Sequence, residues 1–194
     1  VLFIDMKWNT SSKEFENFLK FERNLSKNTI SCYLADLKKL IDYLSLKNIN
    51  YNPNQISTDL IREFLYSQSK KIKSSTQGRL ISSLNLFFDF MILEKIIVEN
   101  PLEKIDYPKV GTSIPTTLTT KEIDSLIAEA GLNKNNGLRN ETIIEVLYSC
   151  GLRVSELIDL KISDLFLDEN LIKVLGKGNK ERFVPVSKTA KKLI

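Results

Sequence analysis

Ser149-Cys150-Gly151-Leu152-Arg153-Val154-Ser155-Glu156-Leu157, followed by Leu171-Ile172-Lys173-Val174-Leu175-Gly176-Lys177-Gly178-Asn179-Lys180-Glu181-Arg182-Phe183-Val184-Pro185-Val186, decides how this chain folds. Apolar residues recur at helical period from Arg139 to Cys150, and Gly151 closes that helix. A short helix follows from Val154 to Leu160, and then the period changes. Leu171 to Leu175 and Arg182 to Val186 are short β-branched runs joined by Gly176 to Glu181, the pattern of a β-hairpin. A strand around Leu165 to Leu167 is expected to pair with it, and Ser187 to cap a further helix, Lys188 to Ile194.

Within this stretch Arg153 directly follows a helix-stopping glycine, opens the next helix and points away from the core. A guanidinium there meets the positive end of the helix dipole, a pairing that favours an anion able to share both, as a phosphate would. Glu156 can hold the arginine meanwhile. Taken alone, the pair also reads as a surface ion pair worth a few tenths of a kcal/mol. The hairpin places Lys177, Lys180 and Arg182 on a glycine-flanked tip, from which a lysine can reach a neighbouring groove. Gly, Asn and Lys are equally ordinary residues of a solvated turn. The spacing does not fit a P-loop, which needs Ser or Thr after the lysine at a helix start.

Working upstream, Thr119-Thr120-Lys121-Glu122 is a capping box that opens a helix carrying Ile123, Leu126 and Ile127 up to Gly131. Before it, residues 107–118 hold Pro108, Gly111, Pro115 and a run of Thr and Ser with no period, a linker signature. Residues 1–106 read as four amphipathic helices. Ser12 is the expected cap of the first (Phe15, Phe18, Leu19) and Ser26 that of the second (Ile30, Tyr33, Leu34, Leu37, Leu40, Ile41, Leu44). After Asn52-Pro53, Ser57 or Thr58 opens the third (Leu60, Ile61, Phe64, Leu65). The fourth begins near Ser74 to Thr76, carries Leu80, Ile81, Leu84, Phe87, Phe88, Met91 and Ile92, and ends before Asn100-Pro101. The expectation is a mainly α, two-domain chain: a four-helix bundle over 1–106, a linker over 107–118, and over 119–194 the start of an α+β domain with a small antiparallel sheet.

Composition narrows the function. An apolar fraction of 42% with 27% charged residues belongs to a folded soluble chain, and the net charge of +4 is only mildly basic and spread evenly over both halves. The chain has no histidine, so it lacks the commonest general acid/base and the commonest zinc ligand. Cys32 and Cys150 lie in apolar helical runs with no partner at metal or redox spacing and read as buried thiols in a reducing compartment. Val1 to Ile4 is too short for a signal peptide or a membrane span, which points to the cytoplasm.

Together, Gly151-Leu152-Arg153-Val154-Ser155-Glu156-Leu157 and Gly176-Lys177-Gly178-Asn179-Lys180-Glu181-Arg182 with Val184-Pro185-Val186 resemble the tyrosine site-specific recombinases of the phage-integrase family, in their Xer branch. Leu25-Ser26-Lys27-Asn28-Thr29, Tyr33, Asp36-Leu37, Ser74-Ser75-Thr76, Arg79-Leu80 and Phe87-Phe88 resemble that family's SAM-like core-binding domain. Asn100-Pro101-Leu102, Pro108-Lys109, Leu118-Thr119 and Glu122-Ile123 resemble its interdomain passage.

The resemblance implies a reaction in which a tyrosine attacks the scissile phosphodiester, leaving a 3′-phosphotyrosine and a free 5′-hydroxyl that attacks the partner strand, with no metal or cofactor. Arg153 matches the first catalytic arginine and Lys177 the hairpin lysine that protonates the leaving 5′-oxygen. The second arginine, the following His or Trp and the nucleophilic tyrosine are expected beyond Ile194. None of Tyr33, Tyr43, Tyr51, Tyr66, Tyr107 and Tyr148 replaces that nucleophile, Tyr148 being expected on an apolar face. The second and fourth helices would grip DNA through Lys27, Asn28, Thr29, Lys71, Lys73, Ser74, Ser75, Gln77 and Arg79, with Lys180 and Arg182 as further contacts from the hairpin. The implied partner is double-stranded DNA with paired inverted half-sites, held by a homo- or hetero-tetramer of the full-length protein, while this fragment is expected to be monomeric and inactive. Chromosome-dimer resolution and mobile-element integration use the same parts and are not separated. Two other readings are a non-catalytic DNA-binding regulator and an all-α interaction module without salt-dependent DNA affinity.

Overall fold

The computed structural model describes residues 7–109, 111, 115–176 and 180–194. The chain divides into two compact units, Val1–Ser113 and Ile114–Ile194, and the fold is mainly α-helical with one small antiparallel sheet.

In the first unit, α1 (Trp8–Asn17) runs on through one wider π-helical turn, Phe18–Glu22, and is followed by α2 (Lys27–Leu46), α3 (Thr58–Ser69) and α4 (Ser74–Leu93). Ser26 Oγ accepts the Thr29 N–H and Ser57 Oγ the Leu60 N–H, each at 3.3 Å, so both capping serines start their helices as the sequence indicates. Ser12 does not. The first helix begins about a turn earlier, at Trp8 with Lys7 as its N-cap, and Ser12 lies inside it. Tertiary contacts account for the longer helix, because an isolated first turn is costly to nucleate: the Trp8 ring stacks 6.0 Å from Phe87, and its Nε1–H donates to the Tyr51 carbonyl at 2.8 Å.

The four helices close over a core that includes Phe15, Leu19, Leu37, Leu40, Ile61, Phe64, Leu80, Leu84, Phe87, Phe88 and Met91. Phe87 sits at its centre, edge-on to Phe15 at 5.3 Å and to Phe88 at 5.2 Å, a geometry that adds about 0.5–1.5 kcal/mol per pair to the burial itself. Cys32 is exposed rather than buried. The buried stripe of α2 runs through Ile30, Leu37, Leu40 and Leu44, and Cys32, two residues past Ile30, lies roughly 200° round the helix from it.

The second unit starts with α5 (Thr120–Gly131). Thr119 Oγ1 accepts the Glu122 N–H at 3.4 Å, and the Glu122 carboxylate accepts the Thr119 N–H at 2.7 Å. These bonds, chiefly the one from the Thr119 backbone, hold the Glu122 carboxyl below the ordinary carboxylate value. α6 (Gly137–Cys150) ends at Gly151, whose φ of +60° is costly for any residue with a Cβ.

Then come α7 (Val154–Ile158), β1 (Leu165–Phe166), β2 (Leu171–Gly176), β3 (Lys180–Pro185) and α8 (Lys188–Leu193). The sheet order is β1-β2-β3, antiparallel throughout, with Leu165 opposite Ile172, Ile172 opposite Val184 and Gly176 opposite Lys180. β3 therefore starts two residues earlier than its β-branched run, because pairing continues to the root of the hairpin. The middle of the expected turn, residues 177–179, lies outside the described residues.

Ile172 and Val174 alternate inward and pack with Val146, Cys150, Leu152, Val186 and Ala190 in a second, smaller core. Ser187 Oγ accepts the Ala190 N–H at 2.9 Å, capping α8, and donates to the buried Glu145 carboxylate on α6 at 2.9 Å. Tyr148, expected on an apolar face, is 49% exposed. The inward line of α6 passes through Glu145, Val146 and Cys150, and Tyr148 lies on the other side. None of the residues of α5 is buried, and its apolar residues reach only partial cover, at Ile123, Ile127 and Ala130.

Candidate functional site

The αL turn at Gly151 reverses the chain so that Arg153 stands at the mouth of α7 with its side chain 67% exposed, while Glu156, one turn later, has a side chain only 3% exposed. Three groups converge on that carboxylate. The Arg153 N–H donates to Oε2 at 2.8 Å and Arg153 Nη1 donates to Oε1 at 2.8 Å. From β3, Arg182 donates a parallel pair of hydrogen bonds, Nη1 to Oε1 at 2.7 Å and Nη2 to Oε2 at 2.9 Å. This fork-on-carboxylate arrangement is the strongest geometry open to an arginine. It brings the Glu156 pKa down to about 2, first through the Arg182 hydrogen bonds and then through the Arg153 backbone, against the opposing effect of burial. The same contact raises the Arg182 pKa.

Gly176, the last residue of β2, lies against this cluster. A Cβ placed there would come within 3.2 Å of Arg182 Nη1 and 3.3 Å of the Lys180 carbonyl oxygen. A side chain at this position would press directly on the arginine fork. Lys177, the residue that follows, lies outside the described residues. Lys180 is exposed at the start of β3. Of the predicted site residues in this unit, Arg153 and Arg182 are thus brought together, with Glu156 between them.

In the first unit the predicted contacts fall at two helix starts. Lys27 and Asn28 are exposed in the first turn of α2, and Thr29 is bound to the Ser26 hydroxyl at 2.9 Å. Lys71 and Lys73 are exposed before α4, and Ser74 and Ser75 are exposed in its first turn. Lys73 occupies the N-cap of α4 without a side-chain hydrogen bond to it. Gln77 Nε2 turns back to the Leu65 carbonyl at 3.5 Å.

Arg79 donates from α4 to Asp36 of α2, whose side chain is 0% exposed and also accepts from Ser83 Oγ and Lys39 Nζ, each at 2.9 Å. The Arg79 side chain is 40% exposed, so it is anchored at one end and open to solvent at the other. Glu156 was expected to hold Arg153, but its burial, the fork it receives from Arg182 and the anchoring of Arg79 by Asp36 were not drawn from the sequence. The available signal was a carboxylate inside an apolar helical stripe, Asp36 falling among Tyr33, Leu37 and Leu40, since a buried charge demands a partner.

Among the described residues, no group of three or more His, Cys, Asp or Glu side chains is placed to hold a metal ion, and no helix is long and apolar enough to cross a membrane.

The sequence profile of the phage integrase family matches residues 116–194, and that of its N-terminal SAM-like domain matches residues 13–95. A tyrosine recombinase XerD of Staphylococcus epidermidis is 37% identical over 185 residues, which is 93% of this chain and 61% of the relative. The XerD of Oceanobacillus iheyensis is 40% identical over 180 residues, 92% of this chain and 60% of the relative. The chain therefore spans about three-fifths of the length of these curated relatives.

Among solved structures, a lambda integrase dimer bound to a COC′ core site superposes with a TM-score of 0.73 at 20% identity, covering 93% of this chain and 49% of that one. A XerH site-specific recombinase bound to a palindromic difH substrate superposes at 0.67 and 23% identity, covering 95% of this chain and 56% of that one. At these identities the superpositions show a shared fold.

Proposed function

The chain belongs to the phage integrase family as an Xer-like tyrosine recombinase, and from that premise we propose that it supplies the DNA-gripping helices and the first catalytic residues of a site-specific recombinase. In this reading residues 1–106 form the DNA-binding bundle, 107–118 the linker and 119–194 the opening part of the catalytic domain. The observation that carries it is Arg153, solvent-exposed along most of its length yet fixed at one edge by the buried Glu156, inside the span matched by the integrase profile. A guanidinium held in this way presents further N–H donors to a phosphate without having to become ordered first.

The reaction follows from the charge it must stabilise. A tyrosine contributed from beyond Ile194 attacks the phosphorus, the 5′-oxygen leaves as that bond breaks, and negative charge spreads over the non-bridging oxygens in the transition state. Arg153 neutralises that charge by paired hydrogen bonds, which a lysine cannot imitate. Lys177 donates a proton to the departing 5′-oxygen, a role worth about 10²- to 10⁴-fold in rate. Return of the 5′-hydroxyl of the partner strand to the phosphotyrosine reverses the bond changes, so no external energy source is consumed. Lys27, Asn28, Thr29, Lys71, Lys73, Ser74, Ser75, Gln77 and Arg79, with Lys180, hold the duplex mainly through its phosphates. Lambda integrase, which shares this fold, has been solved as a dimer on a COC′ core site and as a tetramer on a Holliday junction, and the corresponding proposal for the full-length protein is an assembly of several subunits on paired half-sites.

The test uses the full-length protein and a nicked duplex built on the site it selects from random sequence. A protein–DNA adduct that survives denaturation is expected, and Arg153→Lys should abolish most of it while leaving DNA affinity nearly intact. Normal cleavage by Arg153→Lys would overturn the assignment. A natural product that ends without a nucleophile, forms no adduct and still binds DNA would instead favour the non-catalytic regulator.

A further inference from the structure

Arg182 was grouped with the DNA contacts because it follows the hairpin tip, yet its donors are turned inward. Nη1 and Nη2 both end on Glu156, 26 residues away in sequence, at 2.7 and 2.9 Å, and 39% of its side chain is exposed. The two oxygens it occupies are the same two that receive the backbone N–H and the Nη1 of Arg153. The backbone of Gly176 lies close to the fork, so that a Cβ there would need Arg182 Nη1 and the Lys180 carbonyl to give way by a few tenths of an ångström. One carboxylate thus ties the start of α7 to the first part of β3, beside the end of β2 from which the hairpin departs.

We propose that Arg182 is a positioning residue of the recombination reaction: through Glu156 it fixes the guanidinium of Arg153 and the root of the hairpin, and it does not bind the scissile phosphate itself. The proposal rests on the recombinase reading. Glu156 has two oxygens and four hydrogen bonds to accept from these two arginines. Without the fork from Arg182 the carboxylate is held only by Arg153, its immediate neighbour on the same turn, and both can rotate together toward solvent. A displacement of about 1 Å at a catalytic group is enough to cost roughly 10²-fold in rate. A phosphate contact would behave differently, since its loss weakens binding and reduces the slope of log affinity against log salt by about 0.9.

The experiment compares Arg182→Gln and Arg182→Lys in the full-length protein, reading single-turnover cleavage of a nicked duplex and DNA affinity across a salt series. Arg182→Gln is expected to cleave about 10- to 100-fold more slowly with affinity and salt slope unchanged. Arg182→Lys, which can meet one oxygen but not both, is expected to recover part of that loss. A wild-type cleavage rate in Arg182→Gln, or a weakened affinity with a shallower salt slope, overturns the proposal. In parallel, the Arg153 Nε–H signal of the 194-residue chain is followed by NMR, where faster exchange and greater mobility are expected in Arg182→Gln and an unchanged signal overturns the proposal without reference to catalysis. Absence of cleavage by the wild-type full-length protein would count against the recombinase reading, and the NMR comparison would still decide whether Arg182 holds Arg153.

Discussion

Replacing Arg79 by methionine keeps an unbranched stem on α4 and removes the guanidinium that faces Asp36. The carboxylate, 0% exposed, is left with Ser83 Oγ and Lys39 Nζ, each at 2.9 Å. Removing one partner of a buried ion pair costs about 3–5 kcal/mol when nothing takes its place. Here Lys39 stays, but it lies three residues along the same helix with its side chain 37% exposed, so it compensates only in part. A loss of about 1.5–3 kcal/mol is expected, the range of a hydrogen bond to a charged group.

Adding Asp36→Asn to Arg79→Met removes the stranded charge while keeping a group that can still meet the Ser83 hydroxyl. The double variant should therefore be more stable than Arg79→Met alone. Urea unfolding followed by tryptophan emission measures this in the first unit selectively, because the chain has a single tryptophan and Trp8 stacks on Phe87 in that core. The midpoint should fall with little change in m-value. A shift of less than about 0.5 kcal/mol for Arg79→Met, the range of an ordinary surface substitution, would refute the reasoning, as would a double variant no more stable than the single one.

The second unit offers a pH test. The Glu156 carboxyl drops from an ordinary 4.5 to about 2 on folding, so its stabilising contribution is complete above about 4.5 and is lost as pH falls toward 2; a carboxyl ¹³C titration with a midpoint near 4.5 in the folded protein would contradict the clamp. Thiol labelling of the native chain should show one fast cysteine, the exposed Cys32, while Cys150 waits for the second unit to open; two equally fast thiols would contradict the burial of Cys150. Thr119→Ala removes the cap of α5 and should cost about 1 kcal/mol, raise the Glu122 pKa and speed hydrogen exchange along α5 roughly fivefold; unchanged exchange would show that the cap does not hold the helix.

What could be read from the sequence was local. Ser26, Ser57, Thr119 and Ser187 announce their helices because a cap needs only the next three residues. The β2–β3 hairpin shows itself in a change of period between neighbouring runs. Ser12 misled for the complementary reason: a cap-competent serine was present, but contacts of Trp8 with Phe87 and Tyr51, distant in sequence, extended the helix past it. The polar anchors are invisible to any window. Asp36 and Arg79 are 43 residues apart and Glu156 and Arg182 are 26 apart, so Asp36 looked like an ordinary helix residue, Glu156 like a partner for Arg153 alone, and Arg79 and Arg182 like surface cations free for DNA. Cys32 was placed inward by the apolar character of its neighbours, although its own angular position on α2 puts it outward.

The two cores are unequal, and that difference bears on the life of the protein after it has folded. The first is built around contacting phenylalanines, whereas the second gathers mostly aliphatic side chains around Ile172. Degradation in the cell tracks the population of the transiently open form, and that population is set by the weaker unit. Whichever of the two units opens more readily in the full-length protein therefore sets how quickly the whole chain is cleared, and a substitution that strengthens the other would leave turnover unchanged. In selection, the more stable unit can accumulate destabilising changes unnoticed, while each comparable change in the less stable one shortens the lifetime of the chain.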